Sequence, residues 1–299
     1  MCYLPEGYEK EQTVTAADIQ SYIEDQKILT GYATSFGNNK VLYAKLGAYT
    51  VEIPFEELAL GFAQGSGKEV SIISRIGSPV SFVLTGRGPN GGTLYASRAT
   101  AQTLCYTHYL NKCTAGDIIP CIVTHIEPFG AFCDIGCGIS ALLPIDCISI
   151  SRIQSPADRI SVGQKLMCVI KNRDEMGRFV LTLKELLGTW QENAVHFTAG
   201  STVVGTVRTV ESYGIFVELA PNLTGLAESF AGVYPGDSVS IYIKSITPQK
   251  MKIKLIILKK LTTAPTPGPL PYVLKEGHIA RWQYSPAESL KLVETVFEE

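Results

Sequence analysis

One stretch of this chain occurs twice at a constant separation. Gly116-Asp117-Ile118-Ile119-Pro120-Cys121-Ile122-Val123 aligns with Gly200-Ser201-Thr202-Val203-Val204-Gly205-Thr206-Val207. Ile126-Glu127-Pro128-Phe129-Gly130-Ala131-Phe132-Cys133-Asp134-Ile135 aligns with Val210-Glu211-Ser212-Tyr213-Gly214-Ile215-Phe216-Val217-Glu218-Leu219, and Ala141-Leu142-Leu143 with Gly225-Leu226-Ala227. The offset is 84 throughout, so no gap is needed. A repeat of this kind fixes the architecture first, because each copy must fold as one similar unit.

The second halves of the copies also align. Val162-Gly163-Gln164 corresponds to Pro235-Gly236-Asp237, Val169-Ile170-Lys171 to Tyr242-Ile243-Lys244, and Arg178-Phe179-Val180-Leu181 to Lys252-Ile253-Lys254-Leu255. The later copy is shorter by about the segment Ser149–Asp158. A deletion confined to one connection leaves the elements on either side intact. Short runs of Val, Ile and Phe, broken by Gly, Pro and Asn, predict strands of a small barrel. Gly130 and Gly214 inside such runs predict a bulge or sharp bend.

The N-terminal part is a looser copy. Leu42-Tyr43-Ala44-Lys45-Leu46-Gly47 resembles 131–136, and Tyr49-Thr50-Val51-Glu52-Ile53-Pro54 resembles 140–144. Val70–Ser74 and Val80–Leu84 read as strands, and Arg87–Gly92 reads as a glycine-rich hairpin leading into 94–98. Helices are expected over Ala99–Asn111 and Lys184–Phe197. After Leu261 a proline-dense stretch excludes helix and central strand. A short helix within Glu276–Glu299, anchored by Trp282 and Tyr284, is expected to dock back. The domains are therefore 1–112, 113–198 with a linker helix, 199–261, and a linker and tail over 262–299.

At these residues the chain resembles the S1 RNA-binding domain of the bacterial ribosomal protein S1 family. The resemblance rests on 129–136, Ala141-Leu142-Leu143-Pro144-Ile145-Asp146, Val162-Gly163-Gln164, Asp174, and Gly177-Arg178-Phe179-Val180-Leu181-Thr182-Leu183-Lys184. With Leu183–Leu186 leading to Trp190, the arrangement is similar to a short form of that family. The resemblance implies a mostly β chain of tandem five-stranded antiparallel OB barrels joined by short helices. It also implies a cytoplasmic, non-enzymatic protein of translation that binds single-stranded RNA or mRNA, with the small ribosomal subunit as a further partner. Neither cofactor, small-molecule substrate nor membrane is implied.

In that family two aromatic residues, a histidine and an acidic–basic pair form the RNA face. Carried over, the second copy supplies Phe129, Phe132, Asp174 and Arg178, and the third supplies Tyr213, Phe216 and Lys252, with Lys244 in its basic run. The first copy keeps Tyr43, with Phe36 as a second candidate. The histidine position holds Pro144 and Glu228, which removes a stacking ring in one copy and opposes a phosphate in the other. The alternative function is a protein-interaction scaffold with little RNA affinity.

The residues leave alternatives open. Phe129 and Phe132 are three apart, so strict alternation puts them on opposite faces, whereas a bend at Gly130 allows a shared one. Net charge is −2 over the chain, which gives no global field for nucleic acid. By copy it is −1 over 115–188 and +3 over 199–260. That excess is either a phosphate-binding surface or lysine protection of a strand edge.

The eight cysteines include no Cys-x-x-Cys pair. They read as reduced core residues, with a zinc site near His125, Cys133 and Cys137 as the sharper alternative. Met1–Glu6 has no basic start followed by an apolar run, and no apolar run reaches the roughly 20 residues of a membrane span. Gly86-x-Gly88-x-x-Gly91 precedes a strand rather than a helix and predicts a hairpin. Four dispersed histidines show no catalytic arrangement.

Overall fold

The computed structural model describes residues 3–9, 14–65, 69–262 and 269–297. The first helix, α1 (Asp18–Glu24), precedes β1 (Ile28–Phe36), β2 (Leu42–Leu46) and β3 (Tyr49–Ile53). A short helix α2 (Val70–Ile73) then leads to β4 (Pro79–Arg87), β5 (Thr93–Ser97) and α3 (Arg98–His108). These five strands close into a barrel in the order β1-β2-β3-β5-β4. Four neighbouring pairs are antiparallel; β3 and β5 run parallel and complete the ring.

The same plan recurs twice. Strands β6 (Ile118–Glu127), β7 (Gly130–Asp134), β8 (Ser140–Pro144), β9 (Lys165–Arg173) and β10 (Phe179–Thr182) form the second barrel. Strands β11 (Thr202–Glu211), β12 (Gly214–Ala220), β13 (Leu223–Ala227), β14 (Ser238–Thr247) and β15 (Lys252–Lys260) form the third. Each closes through one parallel pair, β8 with β10 and β13 with β15. The expected five-stranded, largely antiparallel barrels are thus present, each with this one parallel pair: the first three strands form a meander, the last two form a hairpin that joins the first strand, and the two edges that remain pair with each other.

Alternation builds the barrels. In β15, Ile253, Leu255 and Ile257 are buried while Lys252, Lys254, Ile256 and Leu258 point out. In the first barrel Leu29, Leu42, Val51, Phe82 and Leu94 form the centre of a fully buried core. Burial of such side chains contributes about 1.5–3 kcal/mol each relative to exposure.

Three local expectations change. Val70–Ile73 is helical rather than a strand; it lies in the connection between β3 and β4, where the closed ring has no free edge to pair it. Helix over 184–197 is split into a 3₁₀ turn, Lys184–Leu187, and α4 (Trp190–Ala194), because Gly188 at φ 84° interrupts it. The tail holds a two-stranded sheet, β16 (Arg281–Gln283) with β17 (Glu294–Val296), instead of a helix. Trp282 and Tyr284 are both buried, and their two-residue spacing suits one face of an extended chain. Tyr284 carbonyl accepts from Trp190 N at 2.9 Å, and its hydroxyl donates to Asn222 carbonyl at 2.5 Å.

By internal contacts the chain divides into two compact units. One comprises 1–113 with 120–122 and 133–141; the other comprises 114–119, 123–132 and 142–299. The first contains a buried ionic cluster. Glu6 Oε1 accepts from Arg98 Nε at 2.9 Å, and Glu6 Oε2 from Arg75 Nη1 at 3.0 Å. Asp134 Oδ2 accepts from Glu6 N at 2.7 Å, while its Oδ1 accepts from Gly136 N and Gly138 N at 2.8 and 3.0 Å. Burial, then the nearby Glu6 carboxylate, pushes Asp134 up to about 7.

Candidate nucleic-acid interface

The outer face of the third barrel follows from strand register. Ile215, Ala227 and Leu255 are successive partners across β12, β13 and β15, and all three are buried. One residue later on β12 and one earlier on β13 and β15, Phe216, Leu226 and Lys254 form the adjoining row. Because pleated strands alternate, this row points outward. Tyr213 sits in the tight turn between β11 and β12 and is 68% exposed. Its ring meets that of Phe216 edge to face, with centroids 6.1 Å apart at 86°.

The second barrel repeats this construction. Phe129, in the turn before β7, is 56% exposed, and its ring meets Phe132 at 6.1 Å and 88°. The three-residue spacing is thereby resolved toward a shared surface. One ring stands on the strand and the other on the turn, where alternation no longer applies. Glycine is required at the junction for a reason other than a bulge. A Cβ on Gly130 would lie 2.5 Å from Leu143 carbonyl, and one on Gly214 would lie 2.6 Å from Ala227 carbonyl. The register irregularity of β11 and β12 falls instead between Val207 and Thr209.

The other anticipated residues separate into two kinds. Asp174 accepts hydrogen bonds from Met176 N, Arg178 N and Arg178 Nε at 2.9, 2.9 and 2.7 Å. It therefore organises the β9–β10 turn and aims Arg178, whose side chain is 68% exposed. Those bonds, led by the backbone N–H···O contact with Arg178, hold Asp174 below its ordinary value. Lys252 is exposed at the start of β15, paired with Thr247. Lys244 is exposed at the irregularity between Ile243 and Ser245. The basic residue in the row itself is Lys254, with Val180 in the corresponding place beside Leu142. Lys254 stood only in the basic run of the sequence; its two-residue step from Lys252 was the available signal.

In the first barrel Tyr43 is half-buried on β2 and faces out. Its row runs Ser35, Tyr43, Glu52, Tyr95. Phe36 packs against the core instead of joining it. Tyr95 was not anticipated from sequence. Glu228, at the histidine position, is exposed, and Pro144 is half-buried.

Among the described residues seven cysteines are free, six of them buried, and no metal-ligating cluster occurs. A hydrogen bond with Cys121, then burial, pushes the Cys133 thiol well up, which keeps it protonated and a poor metal ligand. No helix among the described residues is long and apolar enough to cross a membrane.

Three closed barrels of one topology, two bearing paired surface aromatics, define a tandem OB-barrel protein. Residues 112–184 match the model of the S1 RNA binding domain. The chain is similar to small ribosomal subunit protein bS1 of Leuconostoc lactis, 34% identical over 158 residues, covering 48% of this chain and 37% of that protein. Against bS1 of Staphylococcus aureus (strain COL) it is 31% identical over 161 residues, covering 50% and 41%. Against bS1 of Rhizobium meliloti it is 29% identical over 154 residues, covering 47% and 27%. The aligned region thus spans less than half the length of these relatives. A solved multidomain protein with nucleic acid binding domains from Streptococcus pneumoniae is 13% identical over 78% of this chain and 74% of its own, with a TM-score of 0.25.

Proposed function

We propose that the chain binds single-stranded RNA through the outer faces of its second and third barrels, acting on mRNA in the cytoplasm at the small ribosomal subunit. The observation that carries this reading is the repeated edge-to-face pair, Phe129–Phe132 and Tyr213–Phe216, held on two barrels at the same separation. Unstacked bases present flat π faces, and stacking on an aromatic side chain contributes about 1–3 kcal/mol per base without regard to sequence. Phe129 and Tyr213 supply open faces, with Phe132 and Phe216 buttressing them from the strand. Arg178, Lys252 and Lys254 then neutralise phosphates and release counterions. Lys244 extends the cationic surface, and Asp174 holds Arg178 in position.

Two weak sites on one chain gain avidity through effective concentration, with no added contact. The proposed activity is binding, without catalysis, cofactor or small-molecule substrate. The test is fluorescence anisotropy of an unstructured RNA titrated with the full chain over a salt series. Affinity that is absent, or independent of salt, overturns the reading. A second reading, a protein scaffold with little RNA affinity, is favoured by Pro144 and Glu228 at the histidine position. It requires that alanine at the four aromatic positions leave RNA binding unchanged.

A further inference from the structure

One outer row of the first barrel carries charge of the opposite sign to its counterpart in the third. Tyr43, Glu52 and Tyr95 are register neighbours across β2, β3 and β5. The equivalent row holds Phe216, Leu226 and Lys254 in the third barrel. A carboxylate therefore stands where that barrel has leucine, and a tyrosine stands where it has lysine. Adjacent strands lie about 4.8 Å apart, so the two tyrosines bracket Glu52 across roughly 10 Å.

Both rings border glycines. A Cβ on Gly37 would lie 3.2 Å from Tyr43 Cε2, and one on Gly86, the register partner of Tyr95, would lie 3.7 Å from Tyr95 Cδ2. Asn39 Nδ2 donates to the Tyr43 hydroxyl at 2.9 Å and restrains that ring. Tyr95 is 40% exposed. Arg87 follows Gly86 on β4, and Lys45 lies two residues from Tyr43 on β2. Arg87 donates to Ala16 carbonyl at 3.1 Å, and Lys45 stands in the next row, opposite Tyr32 and Thr50.

A carboxylate between two aromatic faces repels phosphate and attracts a cation. Carboxylate attraction combines with cation–π contact, which favours guanidinium or ammonium groups within about 6 Å of a ring. We propose that Tyr43, Glu52 and Tyr95 form a docking site for an arginine or lysine side chain of a basic polypeptide. This site stands or falls independently of RNA binding by the other two barrels.

The test is binding of a fluorescently labelled arginine-rich peptide to the full chain and its variants. Glu52→Gln keeps the shape of the side chain and removes its charge. It is expected to weaken binding about three- to tenfold, as is Tyr95→Ala. Glu288→Gln, an exposed acid in the tail, is expected to leave binding unchanged. Equal peptide affinity in wild type, Glu52→Gln and Glu288→Gln overturns the proposal. So does a Glu52→Gln chain that binds unstructured RNA more tightly while Tyr43→Ala and Tyr95→Ala bind it less, since that identifies a stacking platform for bases. Thermal unfolding of each variant separates lost binding from lost fold, and Glu52→Lys, which reverses the charge, gives a second test should Tyr95→Ala not fold.

Discussion

Phe216 and Lys254 flank Leu226 on the outside of the third barrel, each its register partner on a neighbouring strand. This places an aromatic ring and a cationic side chain on either side of one leucine in a single row. Removing one phosphate contact on single-stranded nucleic acid lowers the slope of log affinity against log salt by about 0.7. Lys254→Ala is expected to show that decrease in a salt titration. Lys260→Ala is expected to show less, because Lys260 is committed to Asp237 at 2.7 Å. Conversely, Val180→Lys should steepen the slope through the second barrel.

The exposed rings should report on binding with little effect on stability. Phe129→Ala and Tyr213→Ala are each expected to cost about 1–3 kcal/mol of RNA affinity if one base stacks on each. Their unfolding midpoints should stay near wild type, since both rings are more than half exposed. Anisotropy and thermal melts on the same samples check both halves of this expectation.

The proposed RNA surface gives Asp174 an indirect role, through the position of Arg178. Replacing Asp174 with alanine leaves two backbone N–H groups and the guanidinium without their acceptor. Arg178 should then wander, and Asp174→Ala should weaken RNA binding about as much as Arg178→Ala does. The double variant should add little further, because two residues acting through one contact are not additive. A double-mutant cycle measures this; fully additive losses would show that Asp174 acts independently.

Asp134 predicts a pH dependence of stability. It binds its proton more tightly folded than unfolded, since burial and Glu6 push it from the ordinary 3.8 to about 7. The folded state therefore holds more protons between these values, and stability falls as pH rises through that window. Melting temperature should decline from mildly acid conditions toward neutrality, and Asp134→Asn should flatten that decline. The Glu6, Arg75 and Arg98 side chains share the cluster, so the comparison is best made on the slope rather than on absolute stability.

Much of this was readable from one dimension. The constant offset between 116–135 and 200–219 required two copies of one fold, and alternation in segments such as 252–258 required strands with one buried face. The paired aromatics were legible as residue types at matching positions. Their shared surface was not, because Phe129 and Tyr213 occupy turns, where the period of two has no meaning. Val70–Ile73 and the tail also misled. Helix and strand patterns are degenerate over so few residues, and each segment takes the form its neighbours can satisfy.

What the sequence determined by itself is the repeat, the strands and the chemical types on offer, all set by local periodicity and backbone preference. What only the tertiary structure decided is adjacency. Barrel closure through a parallel pair brings β15 beside β13, placing Lys254 next to Leu226, and brings β5 beside β3, placing Tyr95 next to Glu52. These neighbours are far apart along the chain. Their meeting depends on which strand edge satisfies the last unpaired backbone hydrogen bonds of each barrel, a condition that belongs to the closed ring and to no local segment.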